Sequence, residues 1–328
     1  MREEQIHIPV KGSMAFARIW HAKGEARGII LLVHGALEHS GRYGNFALFL
    51  AHHGYHVVGY DLRAHGYSAL SSKHAGDSRA ITRAIQETPD FGYMPGEEGW
   101  YLYLDDFAQV VDYISARYSG LKIFVFSHSM GSMIARSALS LLPPGQLGKI
   151  RGMILSGTPG NGGLRAKAGR IIVNSAIKKN GDAHISPKIH DLAFGPYSKS
   201  RKFSSVRTEQ DWISSVPDEV DSYIADPLCG TLMRLGFYKT LAEGNIYLYS
   251  KAYKKALTGK SIPLMMIAGD HDPVSSFGRS VLRLADFFRR LDWQDVRVKI
   301  YPQGRHELLH DAMKARVYDD LLDWLNEH

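Results

Sequence analysis

Residues 121–142 have the sequence LKIFVFSHSMGSMIARSALSLL, in which two different periodicities meet. The first part, Leu121–Ser127, is almost continuously apolar, which is typical of a strand covered on both faces of a sheet. The second part, Met130–Leu142, has its apolar residues at helical spacing. A strand that passes directly into a helix through small residues is typical of a parallel α/β sheet.

Further short apolar runs lie along the chain, and helical patterns separate most of them. The other strand-like runs are Gln5–Val10, Met14–Trp20, Gly28–His34, Tyr55–Tyr60, Ile150–Ser156, Ile262–Ala268 and Val296–Tyr301. The other helical patterns are Tyr43–His53, Tyr101–Tyr118, Phe277–Leu291 and Leu308–Leu325. This alternation predicts an α/β fold with an eight-stranded, mostly parallel sheet flanked by helices, in which the first two strands form an antiparallel hairpin.

The stretch from residue 161 to residue 260 breaks this alternation. It is basic, contains many aromatic residues and has no clean buried strand. We therefore predict an α/β core formed by residues 1–160 and 261–328, with a helical cap inserted at residues 161–260. A second irregular stretch, Ser71–Gly99, has too few clustered apolar residues for a core element, and we expect a long loop there.

Composition narrows the class of protein. The chain has 328 residues, 45% of them hydrophobic, and a single cysteine, Cys229. One cysteine excludes an intramolecular disulfide framework and a cysteine-based zinc site, and it fits a reducing compartment. The N-terminal residues form no apolar signal segment, and no run of about 18 apolar residues, long enough to span a membrane, occurs. We therefore expect a cytoplasmic, globular protein.

The excess of positive charge is local. Residues 160–262 contain 16 Lys and Arg against 9 Asp and Glu, whereas the rest of the chain has 24 of each sign. Basic residues between Arg165 and Lys179 flank apolar residues such as Ile171 and Ile172. The pattern has two interpretations: a surface helix whose apolar side packs inside the protein, which we favour, or a helix that contacts a membrane surface. No zinc-finger or RNA-binding motif accompanies the charge, so we expect no nucleic-acid partner.

Parallel α/β sheets bind ligands beyond the carboxyl ends of their strands, so chemistry is expected in the residues that follow each run. Ser129 lies in one such position, on a tight turn between a strand and a helix. Small residues at Ser127 and Gly131 allow the sharp bend, which projects the Ser129 hydroxyl into the cleft. Ser129 is the candidate nucleophile, although the usual Gly-x-Ser-x-Gly pattern here has serine in its first position.

A serine hydroxyl needs a base to take its proton and an acid to orient that base. Asp270 and Asp272 follow one strand-like run near the end of the chain, and His306 follows the next. Asp272 lies 143 residues after Ser129, and His306 lies 34 residues after Asp272. This is the order nucleophile, acid, histidine that α/β hydrolases use. Asp270 competes with Asp272 for the role of the acid.

Acyl transfer also needs backbone N–H donors where negative charge develops on the carbonyl oxygen. The run Gly28–His34 is followed by a His-Gly turn that can present the N–H of Ala36. The second donor would be the N–H of Met130, directly after the candidate nucleophile. Ala36 and Met130 are therefore the candidate oxyanion-hole residues, through their backbones rather than their side chains.

A competing motif overlaps the candidate base. His306-Glu-Leu-Leu-His310 matches H-E-x-x-H, which on a helix places two histidines on one face for zinc, with the glutamate as base. Here the first histidine follows a Pro-Gln-Gly-Arg turn directly after a strand, where the base of a serine triad is expected. We favour the serine mechanism, which requires no metal or organic cofactor.

Six short segments carry a family resemblance. They are His34-Gly-Ala-Leu-Glu-His-Ser-Gly-Arg-Tyr43, Asp61-Leu-Arg-Ala-His-Gly-Tyr-Ser68, His128-Ser-Met-Gly131, Asp226-Pro-Leu228, Gly269-Asp-His-Asp272 and His306-Glu-Leu-Leu309. Together they resemble the monoglyceride lipase and lysophospholipase group of α/β hydrolases over nearly the whole chain. The resemblance implies Ser129 as nucleophile, Asp272 as acid, His306 as base, and oxyanion donors at Ala36 and Met130.

The sequence departs from the pattern of this group at a few positions. Ser127 and Ser132 replace glycines around the nucleophile, and Ala64 stands where the group often has glycine. None of these departures removes a catalytic group. The cap and loops that shape an acyl pocket vary most within such a group, so they determine the particular substrate.

The resemblance implies a serine esterase that cleaves a small lipid-like ester, such as a monoacylglycerol or a lysophospholipid. Two alternatives stay open, namely an aminopeptidase of the same superfamily and a non-catalytic binding protein on this fold. An acidic cluster in the cap, able to bind a free amine, would favour the aminopeptidase. An unreactive Ser129 would favour the binding protein. The sequence indicates neither an oligomeric state nor a preferred acyl chain.

Overall fold

The computed structural model describes residues 3–70, 78–96, 98–160, 162–200, 202–203 and 206–328. Within these ranges the chain forms one eight-stranded sheet. Its strands are β1 Glu3–Val10, β2 Ser13–Trp20, β3 Gly28–Val33, β4 Tyr55–Tyr60, β5 Ile123–His128, β6 Ile150–Ser156, β7 Leu264–Gly269 and β8 Val296–Tyr301. Each predicted strand is present, with ends that differ by only a few residues from the predicted ends.

The order of the strands across the sheet is β1-β2-β4-β3-β5-β6-β7-β8. The β1–β2 and β2–β4 pairs are antiparallel, and the other five pairs are parallel. β3 and β5 are buried along their whole length, as their continuous apolar runs require. The predicted α/β fold with an initial hairpin is therefore confirmed.

Helices cover both faces of the sheet. They are α1 Gly44–His52, α2 Gly66–Ala69, α3 Ser78–Glu87, α4 Gly99–Arg117, α5 Ser129–Leu141, α6 Pro144–Leu147, α7 Gly163–Asn180, α8 Pro187–Ser198, α9 Pro217–Ala225, α10 Leu235–Leu248, α11 Lys251–Leu257, α12 Arg279–Arg289 and α13 Lys314–Glu327. α1 and α13 pack on one face, whereas α4, α5 and α12 pack on the other, so that the sheet lies between two apolar clusters. No described helix is both long and apolar enough to cross a membrane.

Five of these helices, α7–α11, lie between β6 and β7, in the stretch where the sequence predicts an inserted cap. Within the described part of this stretch, the β pairing is a single bridge between Ile185 and Arg234. α10 packs against α5 and α4 of the core as well as against α7. The exact division at residues 160/161 and 260/261 stays a prediction.

The expected long loop at Ser71–Gly99 is wrong in part. Residues 78–87 form the helix α3, whose Ile81 and Ala84 are buried in a small apolar cluster with Phe91 and Leu228. The cluster is separate from the main core, which explains why its few apolar residues did not indicate an element. Residues 71–77 and 97 of the expected loop lie outside the described residues.

The predicted helix Leu308–Leu325 is also shorter than expected. Residues 308–310 form a single 3₁₀ turn, and α13 begins only at Lys314. Between them, the Asp311 carboxylate accepts hydrogen bonds from the backbone N–H groups of Ser215, Arg305 and Ala312. A short acidic side chain that binds nearby backbone in this way competes with helix formation.

The basic helix predicted around residues 165–179 is α7, and its apolar residues divide between two environments. Val173 is buried, and Ala176 and Ile177 pack beside it against the core. Ile171 and Leu164 are instead 68% and 83% exposed. The favoured interpretation, in which the apolar side packs inside, therefore holds for only part of this helix.

Candidate active site

Ser129 lies at the junction of β5 and α5, with a backbone φ of +48°. This left-handed conformation is unfavourable for a residue with a Cβ, and such strain is typical of functional positions. Gly131, two residues after Ser129, allows α5 to approach β3 closely, because a Cβ at this position would overlap the carbonyls of Val33 and His34. The start of α5 thus lies directly against the end of β3.

His306 and Asp272 reach the same place from the ends of β8 and β7. The Nδ1 of His306 lies 3.0 Å from Oδ1 of Asp272, and both side chains are buried. The same carboxylate oxygen also accepts a hydrogen bond from the N–H of Val274 at 2.9 Å. Asp270 does not share this position, since its half-exposed carboxylate pairs with His271 and accepts the N–H of Gln303.

The electrostatic surroundings of His306 favour its protonated form. Burial lowers the pKa of His306, but the adjacent Asp272 carboxylate outweighs burial and raises it above the ordinary value, with a smaller contribution from Glu307. The neighbouring His128, whose ring centroid is 4.5 Å away, has the opposite balance. Burial lowers the pKa of His128 to about 3, so this ring is neutral. His306 is thus the histidine of the pair that can gain a proton.

The two candidate oxyanion donors, Ala36 and Met130, line the cavity that contains Ser129 and His306. Met130 is in the first turn of α5, where the backbone N–H groups have no partner within the helix and carry partial positive charge. Gly35 keeps the other side of this space open, because a Cβ there would lie 3.2 Å from the Cβ of Ser129. The structure therefore brings all five predicted site residues to one location.

The cavity has a volume of about 580 Å³, within the range of small-molecule sites. Its floor is formed by the residues that follow β3, β5, β7 and β8. Its walls come from α7, α8 and α10, which contribute mainly apolar side chains: Ile172, Val173, Ile189, Leu192, Phe194, Tyr238 and Leu241. Such a lining suits an apolar ligand segment that ends at Ser129.

A buried group of three charges stands beside the cavity. Arg42 contacts Glu38 at 2.8 Å and forms a two-pronged pair with Glu307 at 2.8 and 2.6 Å. Glu38 also accepts hydrogen bonds from the N–H of Gly35 at 2.6 Å and from the hydroxyl of Tyr43 at 2.8 Å. The group therefore ties the loop after β3 to the loop that carries His306.

The H-E-x-x-H motif does not form a zinc site of the helical type. His306 and Glu307 precede a 3₁₀ turn rather than lying on an α-helix. The Nδ1 of His306 is engaged with Asp272, and the Nε2 of His310 lies 2.9 Å from the carbonyl of Arg42. The glutamate is held by Arg42, so the motif belongs to the buried ion group instead.

Within the described part of the chain, one other cluster has residues of metal-ligand types, namely His39, Asp226 and Cys229. Nδ1 of His39 accepts the N–H of Gly41 at 3.2 Å, so its proton resides on Nε2, which donates to Asp226 at 2.8 Å. An imidazole used in this way has no free lone pair for a metal. Cys229 is buried, and burial raises the pKa of its thiol, as expected of a small apolar residue.

Comparison with known proteins shows the family of the chain. Residues 24–313 match the family of serine aminopeptidases S33. The chain belongs to this S33 family. Among the relatives of this S33 protein, the monoacylglycerol lipase of Mycolicibacterium smegmatis is 26% identical over 100% of this chain and 98% of its own. The human monoglyceride lipase is 24% identical over 98% of this chain and 89% of its own.

The fold of the chain is also similar to that of a solved esterase. A thermostable carboxyl esterase from Bacillus coagulans, solved in complex with glycerol, superimposes with a TM-score of 0.84 over 100% of this chain and 99% of its own, at 24% identity. The resemblance to the monoglyceride lipase group of α/β hydrolases is therefore confirmed. Ala64 of this S33 chain lies at a φ of +67°, a left-handed conformation that favours glycine, the residue that the family resemblance implies at this position.

The sequence missed two features of the S33 site. The salt bridge between Arg42 and Glu307 joins residues 265 positions apart, and the pattern around each shows only a charge. The ring of Trp212 lies 5.1 Å from that of His306, although Trp212 belongs to an irregular segment between α8 and α9. The sequence signal for the ion group is the segment Glu-His-Ser-Gly-Arg that ends at Arg42, which belongs to the family resemblance.

Proposed function

We propose that this protein is a serine hydrolase that cleaves carboxylic esters of lipid-like substrates through Ser129, His306 and Asp272. The observation that carries the proposal is the 3.0 Å contact between His306 and buried Asp272, because His306 lines the same cavity as a serine held at a positive φ. A strained serine at a strand–helix junction is hard to explain by packing alone. A nucleophile and a base that line one cavity, with a buried acid behind the base, form a unit that can perform acyl transfer.

In the first half of the reaction, Oγ of Ser129 attacks the ester carbonyl carbon while Nε2 of His306 accepts the hydroxyl proton. Asp272 holds the Nδ1–H side of the ring and stabilises the imidazolium that forms. The N–H groups of Ala36 and Met130 donate to the oxygen that becomes negative. The C–O bond then breaks, and His306 returns its proton to the leaving alcohol.

In the second half, water takes the place of the alcohol. His306 accepts a proton from the water, whose oxygen attacks the acyl-enzyme carbonyl carbon. The same two N–H groups stabilise the second tetrahedral intermediate. The bond between the acyl carbon and Oγ of Ser129 then breaks, His306 returns its proton to Oγ, and the carboxylic acid leaves, so the cycle needs no metal or organic cofactor.

The lining of the cavity supports a lipid-like acyl group as the substrate class. Apolar side chains from three inserted helices surround the space beyond Ser129, and they favour an aliphatic chain over a polar one because its burial is stabilised by the hydrophobic effect. The named relatives are monoacylglycerol lipases, so a monoacylglycerol is the first substrate to test. A lysophospholipid, which has the same single acyl chain, is the second.

The family description also names aminopeptidases, which must bind a free ammonium group. Among the described residues that line the cavity, the carboxylates are those of Glu38 and Glu307. Both are buried and both are paired with Arg42. Both carboxylates already accept hydrogen bonds from Arg42, and Glu38 also accepts from Gly35 and Tyr43, so they are poor partners for an incoming amine and ester hydrolysis is favoured over aminopeptidase activity.

We further propose that α7 contacts membrane surfaces from which such a substrate would come. Leu164 and Ile171 lie seven residues apart, on one face of the helix, and both are largely exposed. Lys167 and Lys178 are exposed beside them. Exposed apolar residues among basic ones suit an interface with anionic lipid.

The proposal is tested by labelling the protein with a fluorophosphonate probe and measuring intact mass. We expect one adduct on the wild-type protein, none on Ser129→Ala, and no effect of a metal chelator. Ser276→Ala is the matched control, because Ser276 is the other serine among the described residues of the cavity. This control is expected to label like the wild type.

Hydrolysis assays then separate the classes of substrate. We expect cleavage of monoacylglycerols or acyl p-nitrophenyl esters and no release of p-nitroaniline from aminoacyl anilides. A wild-type protein that forms no adduct would contradict the serine mechanism and favour a non-catalytic binding protein. Cleavage of the anilides alone would instead support the aminopeptidase.

A further inference from the structure

The aromatic ring of Trp212 makes an unusual contact for a residue of the inserted stretch. Its centroid lies 5.1 Å from that of His306, with an angle of 38° between the planes. Its other neighbour is Tyr197 of α8, also at 5.1 Å. Trp212 is half-buried and lines the cavity, so the inserted stretch reaches the candidate catalytic base itself.

The backbone around Trp212 is hydrogen-bonded to the loop that carries His306. We call residues Asp211–Ser215 the strap. The N–H of His306 donates to the carbonyl of Trp212 at 3.3 Å, and the N–H of Glu307 donates to that of Ile213 at 2.8 Å. These bonds place the indole beside the imidazole and fix the register between the two segments.

Side chains secure both ends of the strap. The guanidinium of Arg305 donates to the carbonyls of Asp211 and Ser214. The hydroxyl of Ser214 donates to the carbonyl of His310 at 2.7 Å, and the N–H of Ser215 donates to Asp311 at 2.9 Å. Loops without such partners are the most mobile parts of a protein, so the strap is unusually well held.

The strap adds support to the ring of His306. His306 follows β8 on a loop, and of its two ring nitrogens Nδ1 is held by Asp272. A single hydrogen bond leaves the ring free to tilt about it, whereas a catalytic ring must hold its geometry closely. Gly157 packs closely against the imidazole, and the rings of His128 and Trp212 lie beside it. Only that of Trp212 comes from the inserted stretch.

We propose that Trp212 is a positioning residue for His306, so that the inserted helices control the reactivity of Ser129 through the strap. This inference rests on the proposed function and adds to it a coupling between substrate entry and the base. An acyl chain that enters between the inserted helices displaces the strap or presses against it. The strap is also the segment that orients His306. The wall of the acyl pocket and the support of the base are then one element.

Trp212 also affects the charge state of His306. An indole beside an imidazolium stabilises the cation through the cation–π interaction. The charged and titratable groups around His306 from the other elements are Asp272, Glu38, Glu307 and His128. Replacing the indole by an aliphatic side chain leaves these groups in place, so any change in the titration of His306 reports on Trp212.

The test measures the rate at which diisopropyl fluorophosphate inactivates the protein as a function of pH. This small reagent needs His306 to activate Ser129 but does not fill the acyl pocket. For Trp212→Leu we expect a rate about 10- to 100-fold below that of the wild type, from a misplaced base. We also expect the acid midpoint to move down by about half a pH unit, from the lost cation–π contact.

Two further variants make the result decisive. Trp212→Phe keeps a ring, and we expect it to react faster than Trp212→Leu, with a smaller shift in the same direction. Ile224→Ala changes an exposed residue of α9 outside the cavity and is expected to match the wild type. If Trp212→Leu does not fold, as judged by circular dichroism, Trp212→Phe still has to lower the midpoint.

The inference is overturned if the folded Trp212 variants keep the inactivation rate and the acid midpoint of the wild type. It is overturned equally if the only change in these variants is a higher KM for long-chain esters. That outcome would make Trp212 a wall of the acyl pocket and nothing more. If the wild-type protein itself is not inactivated, the proposed function fails instead, and the two failures are thereby distinguished.

Discussion

Replacement of Arg42 by methionine is expected to destabilise the protein strongly. The guanidinium is buried between Glu38 and Glu307, which are themselves buried, and it contacts both at 2.6–2.8 Å. The ring of Tyr223 covers it, with the guanidinium carbon 4.8 Å from the ring centroid. Methionine has a similar length but no charge, so the variant removes the guanidinium that the two carboxylates share, and Glu307 keeps the ring of His310, 3.3 Å away, as a neighbour.

The cost follows from this burial. Removing one partner of a buried ion pair costs about 3–5 kcal/mol, because the remaining charge is left uncompensated. An unfolding entropy of about 2.1 cal/mol/K per residue converts this loss into a fall in Tm of about 4–7 °C for a chain of 328 residues. Some activity is lost with it, because Glu38 holds the N–H of Gly35 beside Ser129.

The loss should depend on pH in a defined direction. In the wild type, Arg42 outweighs burial and holds the pKa of Glu307 well below its ordinary value. The ion pair therefore stabilises the fold at pH values above the unfolded pKa, about 4.3, and this contribution is lost as the pH falls toward the folded pKa. In Arg42→Met, burial raises the pKa of Glu307 instead, and protonation relieves the penalty. The two proteins should differ most at pH 8 and less at pH 5.

Thermal and urea unfolding followed by circular dichroism measure this difference at both pH values. Arg297→Met is the matched control, since Arg297 is 46% exposed in its surface pair with Glu327. Such pairs contribute about 0–1 kcal/mol, so this variant should melt within about 2 °C of the wild type. If Arg42→Met melts no earlier than Arg297→Met, or loses the same stability at pH 5 as at pH 8, the reasoning is refuted.

The remaining predictions concern the base and the membrane contact. Asp272→Asn should lower kcat about 10³- to 10⁴-fold. It should also move the acid limb of the pH–rate profile to lower pH, because the charge that outweighs burial and raises the pKa of His306 is gone. An acid limb that does not move would contradict the pairing of His306 with Asp272. Replacement of both Leu164 and Ile171 by aspartate should reduce co-sedimentation with anionic vesicles at least about tenfold, since apolar area no longer enters the interface. Leu282→Asp, an exposed change on α12, is its control, and equal loss in both proteins would remove α7 as the contact.

Much of the fold could be predicted because its signals are local. The buried strands β3 and β5 are apolar along their whole length, and that property depends only on neighbouring residues. The positions of Ser129, Asp272 and His306 after their strands follow from the same runs, since parallel strands bring their carboxyl ends to one edge. The choice of Asp272 over Asp270 depended on the family resemblance, and the geometry now places His306 against Asp272.

The errors arose where local patterns were short or were overridden by distant contacts. α3 buries only Ile81 and Ala84, too few residues to stand out from a polar stretch. The helix expected from Leu308 is interrupted because the Asp311 carboxylate accepts the backbone N–H of Ser215, almost a hundred positions earlier. No window of neighbouring residues contains that competition.

The sequence by itself determined the class of fold, the order of the strands along the chain, the candidate nucleophile and base, and two candidates for the acid, Asp270 and Asp272. Each of these depends on the period and chemistry of adjacent residues. Only the tertiary structure decided that Arg42 joins Glu38 to Glu307 and that Trp212 lies against His306. Such contacts join residues separated by long stretches of chain, and whether they form depends on how every intervening loop closes and packs.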